Sequence, residues 1–490
     1  MSAPKTLAHP EPVDEQTESP ARKTVFAAGL LLAMFLLSGS LAVYCAWLLW
    51  RGEAAEAVLS GLPGGCSRVL FVDKPHSSPA VAGLMAHHAV QWTGGGDATA
   101  LLKGLSTAPP PEEIDSTQAI ALCYRGNWWF GAAVPAQGAA AEGAARAFAA
   151  WVGQALGQTV GTPSGGPRKG AWSRWVSLAG AQVLWIARDG GNVVQAAWSP
   201  SASTPTDNID QADAAMDDML AAMQTRTLQN DELFRAALER SGGGDVHTFE
   251  RGPPLAASLG ASSGWSETAS SIDWRGAALR VEGESLIVHE HLGGGQRVAA
   301  WLKRRFDMPV EFDAARVLPA EGVVAWGVDR YSHILAADID LVAMSLAARR
   351  AAMPSATAAT DKAWKAALVG PVAWFRGEDG CTTFAAQVSA DWKTRPEALP
   401  APVATASCRQ PVRKWSGAHL LAGSPAGVSH LERVLTGSAR SLAATGLSRD
   451  SQRMASSTNG WRDNSAKGLQ VLEWTWVDTG IVVERTYRGK

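Results

Sequence analysis

The chain has 490 residues, enough for two or three domains of ordinary size, and its 46% hydrophobic and 18% charged content is that of a folded protein. Its formal net charge of −2 argues against a general nucleic-acid binder, because such proteins carry a basic surface. We therefore expect no nucleic-acid partner.

The first two predicted segments are a polar tail and an apolar helix. Residues 1–23 are polar and contain prolines, which predicts a disordered tail. Residues 24–50 carry no charge. At 1.5 Å per residue a helix over them is about 40 Å long, which exceeds the ~30 Å hydrocarbon core of a bilayer. We expect a transmembrane helix here, with the lipid bilayer as its partner.

Basic residues around this run predict its orientation. Arg22 and Lys23 precede it directly and only Arg51 follows closely, so the N-terminus is expected in the cytoplasm. The region after the span would then be periplasmic, as in a single-pass signal anchor of the bacterial inner membrane. The alternative is a cleaved signal peptide with the weak site Ala55-Glu56-Ala57, although signal peptides have apolar regions of only 7–15 residues.

Four cysteines follow the apolar run, which itself contains Cys45. An even number of cysteines in an oxidising compartment favours disulfides. We favour the pairs Cys66 with Cys123 and Cys381 with Cys408, because each pair lies in one half of the chain. Three pairings are possible and four free thiols remain an alternative. No C-x-x-C spacing indicates a zinc site.

The first half of the exported region alternates short strands with helices. Apolar alternation and turn residues predict strands and hairpins, and periodic apolar stripes predict helices. The expected strands are 68–73, 119–124, 128–134, 172–178, 182–188, 193–198, 272–281 and 285–291, and the expected helices are 80–92, 141–156, one begun by Asp207 or Asp210, and 231–240. The glycine run at 94–96 is expected to form a turn.

The second half repeats this order. Its expected strands are 323–329, 372–376, 382–388, 419–422, 469–477 and 481–486, with helices over 336–353 and after Ser424-Pro425 and a serine-rich loop over 438–460. Tyr124-Arg125-Gly126 matches Phe375-Arg376-Gly377 in the corresponding hairpin. We therefore predict two similar α+β modules, residues 62–295 and 310–490, with mostly antiparallel sheets and helices on one face.

His289-Glu290-His291 is the sharpest candidate for site chemistry. Alternate residues of a strand share a face, so both imidazoles would lie about 7 Å apart, a spacing that suits one metal ion. His247 or Glu284 would supply a third ligand. The simpler interpretation is a hydrogen-bonded pair on a sheet face, because the corresponding segment reads Glu484-Arg485-Thr486.

Other candidates carry weaker patterns. Ser262 lies in a G-x-S-x-G sequence, but no helix is expected after it, as a nucleophile elbow requires. Asp217 and Asp218 are better explained as charges on a helix surface. The glycine runs lack the patterns that bind phosphates, so we expect no nucleotide cofactor.

These observations predict a membrane-anchored, non-catalytic binding or scaffold protein of the bacterial envelope, acting with an envelope protein partner. One alternative is an envelope hydrolase assisted by a metal at His289 and His291. A second alternative is a membrane sensor or assembly subunit whose span pairs with other helices.

Overall fold

The computed structural model describes most of the chain after residue 54. The described ranges are 55–75, 77–86, 95–157, 173–176, 182–186, 193–198, 208–252, 272–294, 313–329, 368–388, 391, 408–447, 459–463, 469–477 and 480–488. Residues 24–50, where we predicted the membrane span, lie outside these ranges, as do the tail 1–23 and the expected helix 336–353. Within the described ranges, no helix is both long and apolar enough to cross a bilayer.

In the first half, residues 55–294, nine strands and five α-helices have described bounds, and residues 55–60 are also helical. The strands are β1 (Arg68–Val72), β2 (Ile120–Arg125), β3 (Trp128–Ala133), β4 (Ser173–Val176), β5 (Gln182–Ile186), β6 (Val194–Trp198), β7 (Val246–Arg251), β8 (Trp274–Glu282) and β9 (Ser285–Gly293). The helices are α1 (Pro79–Ala86), α2 (Gly95–Thr107), α3 (Ala141–Ala155), α4 (Asn208–Thr225) and α5 (Glu232–Ser241).

In the second half, residues 313–488, eight strands and two α-helices have described bounds, and the isolated described residue 391 is also helical. The strands are β10 (Val323–Asp329), β11 (Leu368–Gly377), β12 (Thr382–Val388), β13 (Val412–Ser416), β14 (His419–Gly423), β15 (Asn459–Asp463), β16 (Leu469–Val477) and β17 (Gly480–Arg488). The helices are α6 (Ala314–Val317) and α7 (Pro425–Leu435), and 3-10 turns cover Leu228–Asn230 and Leu442–Thr445.

All seventeen strands join in one antiparallel sheet, so the chain is a mixed α+β protein dominated by a single large sheet. Across the first half the order is β4-β5-β6-β3-β2-β1-β7-β8-β9. Across the second half it is β13-β14-β12-β11-β10-β15-β16-β17. The two orders match strand for strand, apart from the additional β4.

The last strand of each half joins the two halves. β9 and β17 pair antiparallel along their full length, from Ser285 opposite Arg488 to Gly293 opposite Gly480. Each is the second strand of a hairpin of two nine-residue strands. In the β8–β9 hairpin, the pair next to the turn is Glu282 and Ser285. In the β16–β17 hairpin, it is Val477 and Gly480. The pairing therefore places the two hairpins symmetrically about the centre of the β9–β17 seam.

Helices cover both faces of the first half, so our expectation of helices on one face only was wrong. Face A, the face of Leu70 and Val72, packs in one apolar cluster with residues of α1, α2 and α3. Face B, the face of Val69 and Phe71, packs in a second cluster with residues of α4 and α5. Alternate residues of β1 thus enter two different cores, which explains why this strand is apolar on both sides.

Face B also carries an apolar cluster among the described residues of the second half. Trp326 and Val328 of β10 pack there with residues of α6 and α7 and with Leu442. Helix α7 begins as the sequence predicted, because the Ser424 side chain accepts a hydrogen bond from the Gly427 amide and Pro425 follows the cap.

A matching backbone contact closes each half near its first strand. Residues 62–64 (Leu-Pro-Gly) meet residues 226–228 (Arg-Thr-Leu), with Leu228 N donating to Leu62 O at 2.9 Å and Gly64 N to Arg226 O at 2.7 Å. Residues 318–320 (Leu-Pro-Ala) meet residues 440–442 (Arg-Ser-Leu) through the corresponding bonds of 2.7 and 3.1 Å. Each contact includes a β-bridge at its proline.

Each half also contains one disulfide, and the pairs are those we favoured from the sequence. Cys66 bonds to Cys123, which lies in β2, and Cys381, just before β12, bonds to Cys408. Two disulfides are typical of proteins from an oxidising, extracytoplasmic compartment.

Candidate functional site

His289 and His291 lie on face B of β9, but different groups hold their rings. His289 Nδ1 is 3.4 Å from Glu484 Oε2, and Arg280 Nη2 is 3.6 Å from the same carboxylate oxygen. His291 is buried and stacks on Trp274, with ring centroids 5.1 Å apart and an interplanar angle of 20°. The two histidines share a face, as predicted. However, each imidazole contacts a different neighbour, His289 contacting Glu484 and His291 contacting Trp274.

The predicted third ligands lie apart from these rings. His247 is on β7, where Ala278 of β8 stands between it and His289 in the sheet register. Its Nε2 lies 3.0 Å from Gly244 O, and burial lowers the pKa of His247 below its usual value. Glu284 lies in the β8–β9 turn. The described residues include no group of three His, Cys, Asp or Glu side chains able to hold a metal ion.

The other sequence candidates have structural positions or lie outside the described ranges. Asp218 is exposed on α4, and its Oδ2 lies 3.4 Å from Arg125 Nη2. Asp217 is exposed beside it. Ser262 lies outside the described residues. Of the predicted glycine turns, Gly242 ends α5, but Gly95 begins α2, which corrects the expected turn at 94–96.

Asp231 is a buried carboxylate that the sequence analysis placed only as the first residue of the expected helix 231–240. It accepts hydrogen bonds from Phe234 N and Gly65 N, and Arg251 Nη2 lies 2.9 Å from its Oδ2. Burial alone would raise the pKa of Asp231, but these two amides and the charges of Arg251 and Arg226 outweigh it and lower the pKa. Asp231 therefore ties α5 to the segment before β1 and to β7.

A second buried ion pair lies at the seam between the halves. Glu290 of β9 is fully buried, and its Oε2 is 2.7 Å from Nη1 of Arg485 on β17. Both side chains are on face A, opposite to the face of His289. Both residues are charged, although the neighbouring residues on the same face of their strands are apolar. A charge at such a position indicates a buried ion pair, and the sequence analysis did not use this signal.

The most unusual grouping on face A is a row of two arginines and one glutamate, which we call the arginine row. Arg68 of β1, Glu250 of β7 and Arg275 of β8 occupy directly opposed positions on three neighbouring strands. Arg68 Nε is 3.5 Å from Glu250 Oε1, and Arg275 forms an ion pair with the other carboxylate oxygen. Arg275 is only 3% exposed, and its Nη1 has no hydrogen-bond partner among the described residues.

Two aromatic rings continue the arginine row on the same face. Tyr124 of β2 is opposite Arg68, and Trp129 of β3 is opposite Tyr124. Their ring centroids are 5.2 Å apart, and the Arg68 guanidinium lies 5.9 Å from the Tyr124 ring centroid. Both rings are partly exposed, as is the Arg68 side chain at 26%. The row therefore opens toward solvent at its aromatic end.

Comparisons with known proteins do not identify this chain. No protein-family model and no curated protein matches it. Among solved structures, crystal forms IV, III and I of TP0453 match 50% of this chain and 84%, 85% and 84% of their own, with 8%, 8% and 9% sequence identity and TM-scores of 0.26, 0.24 and 0.24. Similarities this low carry no argument about fold or function.

Proposed function

We propose that this chain is a non-catalytic binding or scaffold protein of the bacterial envelope, anchored in the inner membrane by residues 24–50 with its N-terminus in the cytoplasm. The uncharged run and the basic residues before it support the anchor and its direction. The two disulfides support a periplasmic location for the folded body.

The observation that carries the proposal is the repeated construction of the sheet. The matching strand orders and the two matching backbone contacts support two related modules, residues 62–295 and 310–490. Strand pairing through β9 and β17 combines both halves into one broad sheet. A broad sheet of this kind suits a protein that presents surfaces to partners.

Contacts of the reactive side chains favour binding over catalysis. His289 is engaged by Glu484 and His291 by Trp274, and the buried carboxylate of Asp231 binds a helix terminus and an arginine. These groups hold strands and helices together, which is a structural role for the residue types that a hydrolase would use.

Reporter fusions and disulfide mapping test the anchor and the compartment. A reporter active only in the periplasm, fused after residue 490, is expected to be active, and the intact chain is expected to stay in the membrane fraction. Both disulfides should be lost in cells that lack periplasmic disulfide oxidation. An inactive periplasmic reporter, or recovery of the intact chain in the soluble fraction, would refute the proposal.

Photo-cross-linking in native membranes tests the scaffold role. A photoreactive amino acid at Val412, which is 37% exposed on β13, should form a cross-link to an envelope protein. The same amino acid at the buried Leu421 of the neighbouring strand β14 provides the control. Cross-links of equal yield at both positions, or none at Val412 and at other exposed positions of the sheet, would contradict the scaffold role.

A further inference from the structure

The hairpin of β2 and β3 carries aromatic side chains on both faces of the sheet next to its turn. Tyr124 and Trp129 lie opposite each other on face A, where Trp129 packs against the apolar cluster of that face. Trp128 lies on face B and packs against the second cluster. All three rings are partly exposed, and Asn127 in the turn is exposed. We call residues 124–129 the aromatic hairpin.

The corresponding hairpin of the second half, β11–β12, has an acidic turn. Residues 377–381 read Gly-Glu-Asp-Gly-Cys, and Glu378 and Asp379 are exposed. The strand pair next to this turn is Arg376 and Thr382. Because the second half builds its hairpin without an aromatic ring at these positions, the fold itself does not require the rings of the first half.

The aromatic hairpin and the acidic turn 377–381 project from opposite rims of the sheet. The antiparallel pairing of β9 with β17 inverts the second half relative to the first, and every strand pair between β2 and β11 is antiparallel. The chain enters β1 beside the aromatic hairpin, since Ser67 N donates to Tyr124 O at 2.8 Å. Ala55, the first described residue, packs against the same cluster as Trp128. The rim of the aromatic hairpin is therefore the one that the chain reaches first after the uncharged run.

We propose that the aromatic hairpin inserts into the headgroup region of the bilayer. Trp and Tyr rings favour this region, because each combines an apolar body with a polar group. Only residues 51–54 separate the uncharged run from the folded body, and an extended linker of that length spans about 15 Å. The inference rests on the anchor proposed above and adds a second, peripheral contact with lipid.

The geometry of the rings favours lipid over a sugar or a protein partner. A sugar stacks on a flat aromatic platform, whereas the rings of Tyr124 and Trp129 are tilted by 53° to each other. A protein docked on the sheet would contact one face, whereas Trp128 and Trp129 lie on opposite faces. Lipid headgroups can surround a projecting turn and contact both faces. The acids Glu378 and Asp379 on the opposite rim suit solvent, because anionic headgroups repel them.

Photo-labelling of the full-length protein in nanodiscs tests the inference. The nanodiscs contain phosphatidylcholine, phosphatidylglycerol and a lipid with a photoreactive diazirine in its headgroup. Peptide mapping should find label in residues 24–50 and in the aromatic hairpin, and only background label in residues 377–381. Label in 24–50 reports the anchor, so the two proposals are tested separately. Absence of label from the aromatic hairpin would overturn the inference, whether or not residues 24–50 are labelled.

Variants of the aromatic hairpin separate lipid contact from a folding defect. Trp129→Thr should lower labelling of the hairpin by at least about threefold, because it removes a ring that favours the interface. Asn127→Asp suits the positive φ of 69° at this exposed position, and its charge should lower labelling about fivefold. If Trp129→Thr fails to fold, Asn127→Asp decides the result.

The matched control is Glu378→Gln in the acidic turn, which should leave labelling of the aromatic hairpin unchanged. Equal labelling of wild type and Asn127→Asp would overturn the inference. A hairpin that stays unlabelled by lipid but cross-links to an envelope protein in native membranes would also overturn it, and would assign the rings to a protein partner.

Discussion

His289 and Glu484 face each other at the midpoint of the seam that joins the two halves of the sheet. Four residue pairs of β9 and β17 lie on either side of them, so this pair marks the centre of the symmetry between the two hairpins. On face B the two side chains approach to 3.4 Å, and on face A the neighbouring residues Glu290 and Arg485 form the buried pair. The seam thus has a partly exposed contact between an imidazole and a carboxylate on one face and a buried ion pair on the other.

The two faces of the seam are expected to respond differently to loss of an acid. Glu290→Gln leaves the Arg485 guanidinium buried without a counter-charge, so we expect the free energy of unfolding to fall by about 3–5 kcal/mol. Glu484→Gln is the matched control: its carboxylate is 30% exposed, and screening by water limits the expected loss to below about 1 kcal/mol. Urea unfolding of both variants measures the difference, and equal losses would contradict the assignment of faces.

Asp231→Asn should destabilise the first half in a pH-dependent way. We expect a loss of about 2–3 kcal/mol at neutral pH, because the buried carboxylate accepts two amide hydrogen bonds and pairs with Arg251. Folding lowers the pKa of Asp231 below its ordinary 3.8, so its charge stabilises the protein above that pH and less as the pH falls through the folded value.

The measurement for Asp231 is the difference in unfolding free energy between wild type and variant across the acid range. This difference should be constant above about pH 5 and narrow below about pH 4. A difference that stays constant down to pH 2 would show that the carboxylate is not stabilised in the folded protein.

His247 should contribute to instability at mildly acidic pH. Burial lowers the pKa of His247 below 6.5, so the folded protein resists protonation that the unfolded chain accepts. The neutral His247 ring therefore contributes fully to the free energy of unfolding above pH 6.5, and this contribution declines as the pH falls below 6.5. Between pH 8 and 5, His247→Gln should lose less unfolding free energy than wild type, and parallel losses in both proteins would contradict this prediction.

Local patterns in the sequence account for much of the fold. Strand β10 was predicted at its observed bounds and β1 to within one residue, because apolar runs between turn residues are strong strand signals. Strand β7 was missed, because Glu250 and Arg251 break the apolar pattern of a short segment. Strand β15 begins inside a serine-rich stretch that predicted a loop. In both cases, pairing with distant strands overrides a weak local preference.

Site residues depend even more on distant pairing. The common face of His289 and His291 follows from the period of a strand, but Glu484 is 195 residues away from His289 in sequence. Nothing local shows that Arg68, Glu250 and Arg275 are neighbours, since they belong to three strands that only the fold aligns. Charges at inward positions of apolar strands were visible in the sequence, although their partners were not.

The disulfides give a prediction that needs no functional assay. Peptide mapping of the oxidised protein should find Cys66 linked to Cys123 and Cys381 linked to Cys408, as in the structure. Replacing either pair by serine should lower the free energy of unfolding by about 2–4 kcal/mol, because each bond restricts the unfolded chain. A linkage between the halves, such as Cys66 with Cys408, would refute the predicted pairing.

Two glycines of the first half differ in how much space surrounds them: Gly131 is tightly packed, whereas Gly143 is open. A Cβ added at Gly131 of β3 would lie 2.7 Å from both Leu122 Cδ2 and Trp198 Cη2, and both side chains are buried. We expect Gly131→Ala to destabilise the protein by about 1–3 kcal/mol, because a packed core relaxes only partly around an added methyl group. Thermal unfolding measures the loss.

Gly143 on α3 is the matched control for Gly131. A Cβ there meets nothing within 4 Å, and alanine is the better helix former. Gly143→Ala should therefore leave stability unchanged or raise it by up to about 1 kcal/mol. Stabilisation by Gly131→Ala would show that Gly131 does not lie between the Leu122 and Trp198 side chains. That result would also contradict the strand order β2-β3-β6. We expect Gly131→Ala to lower the free energy of unfolding and Gly143→Ala not to lower it, because only Gly131 lies between two buried side chains.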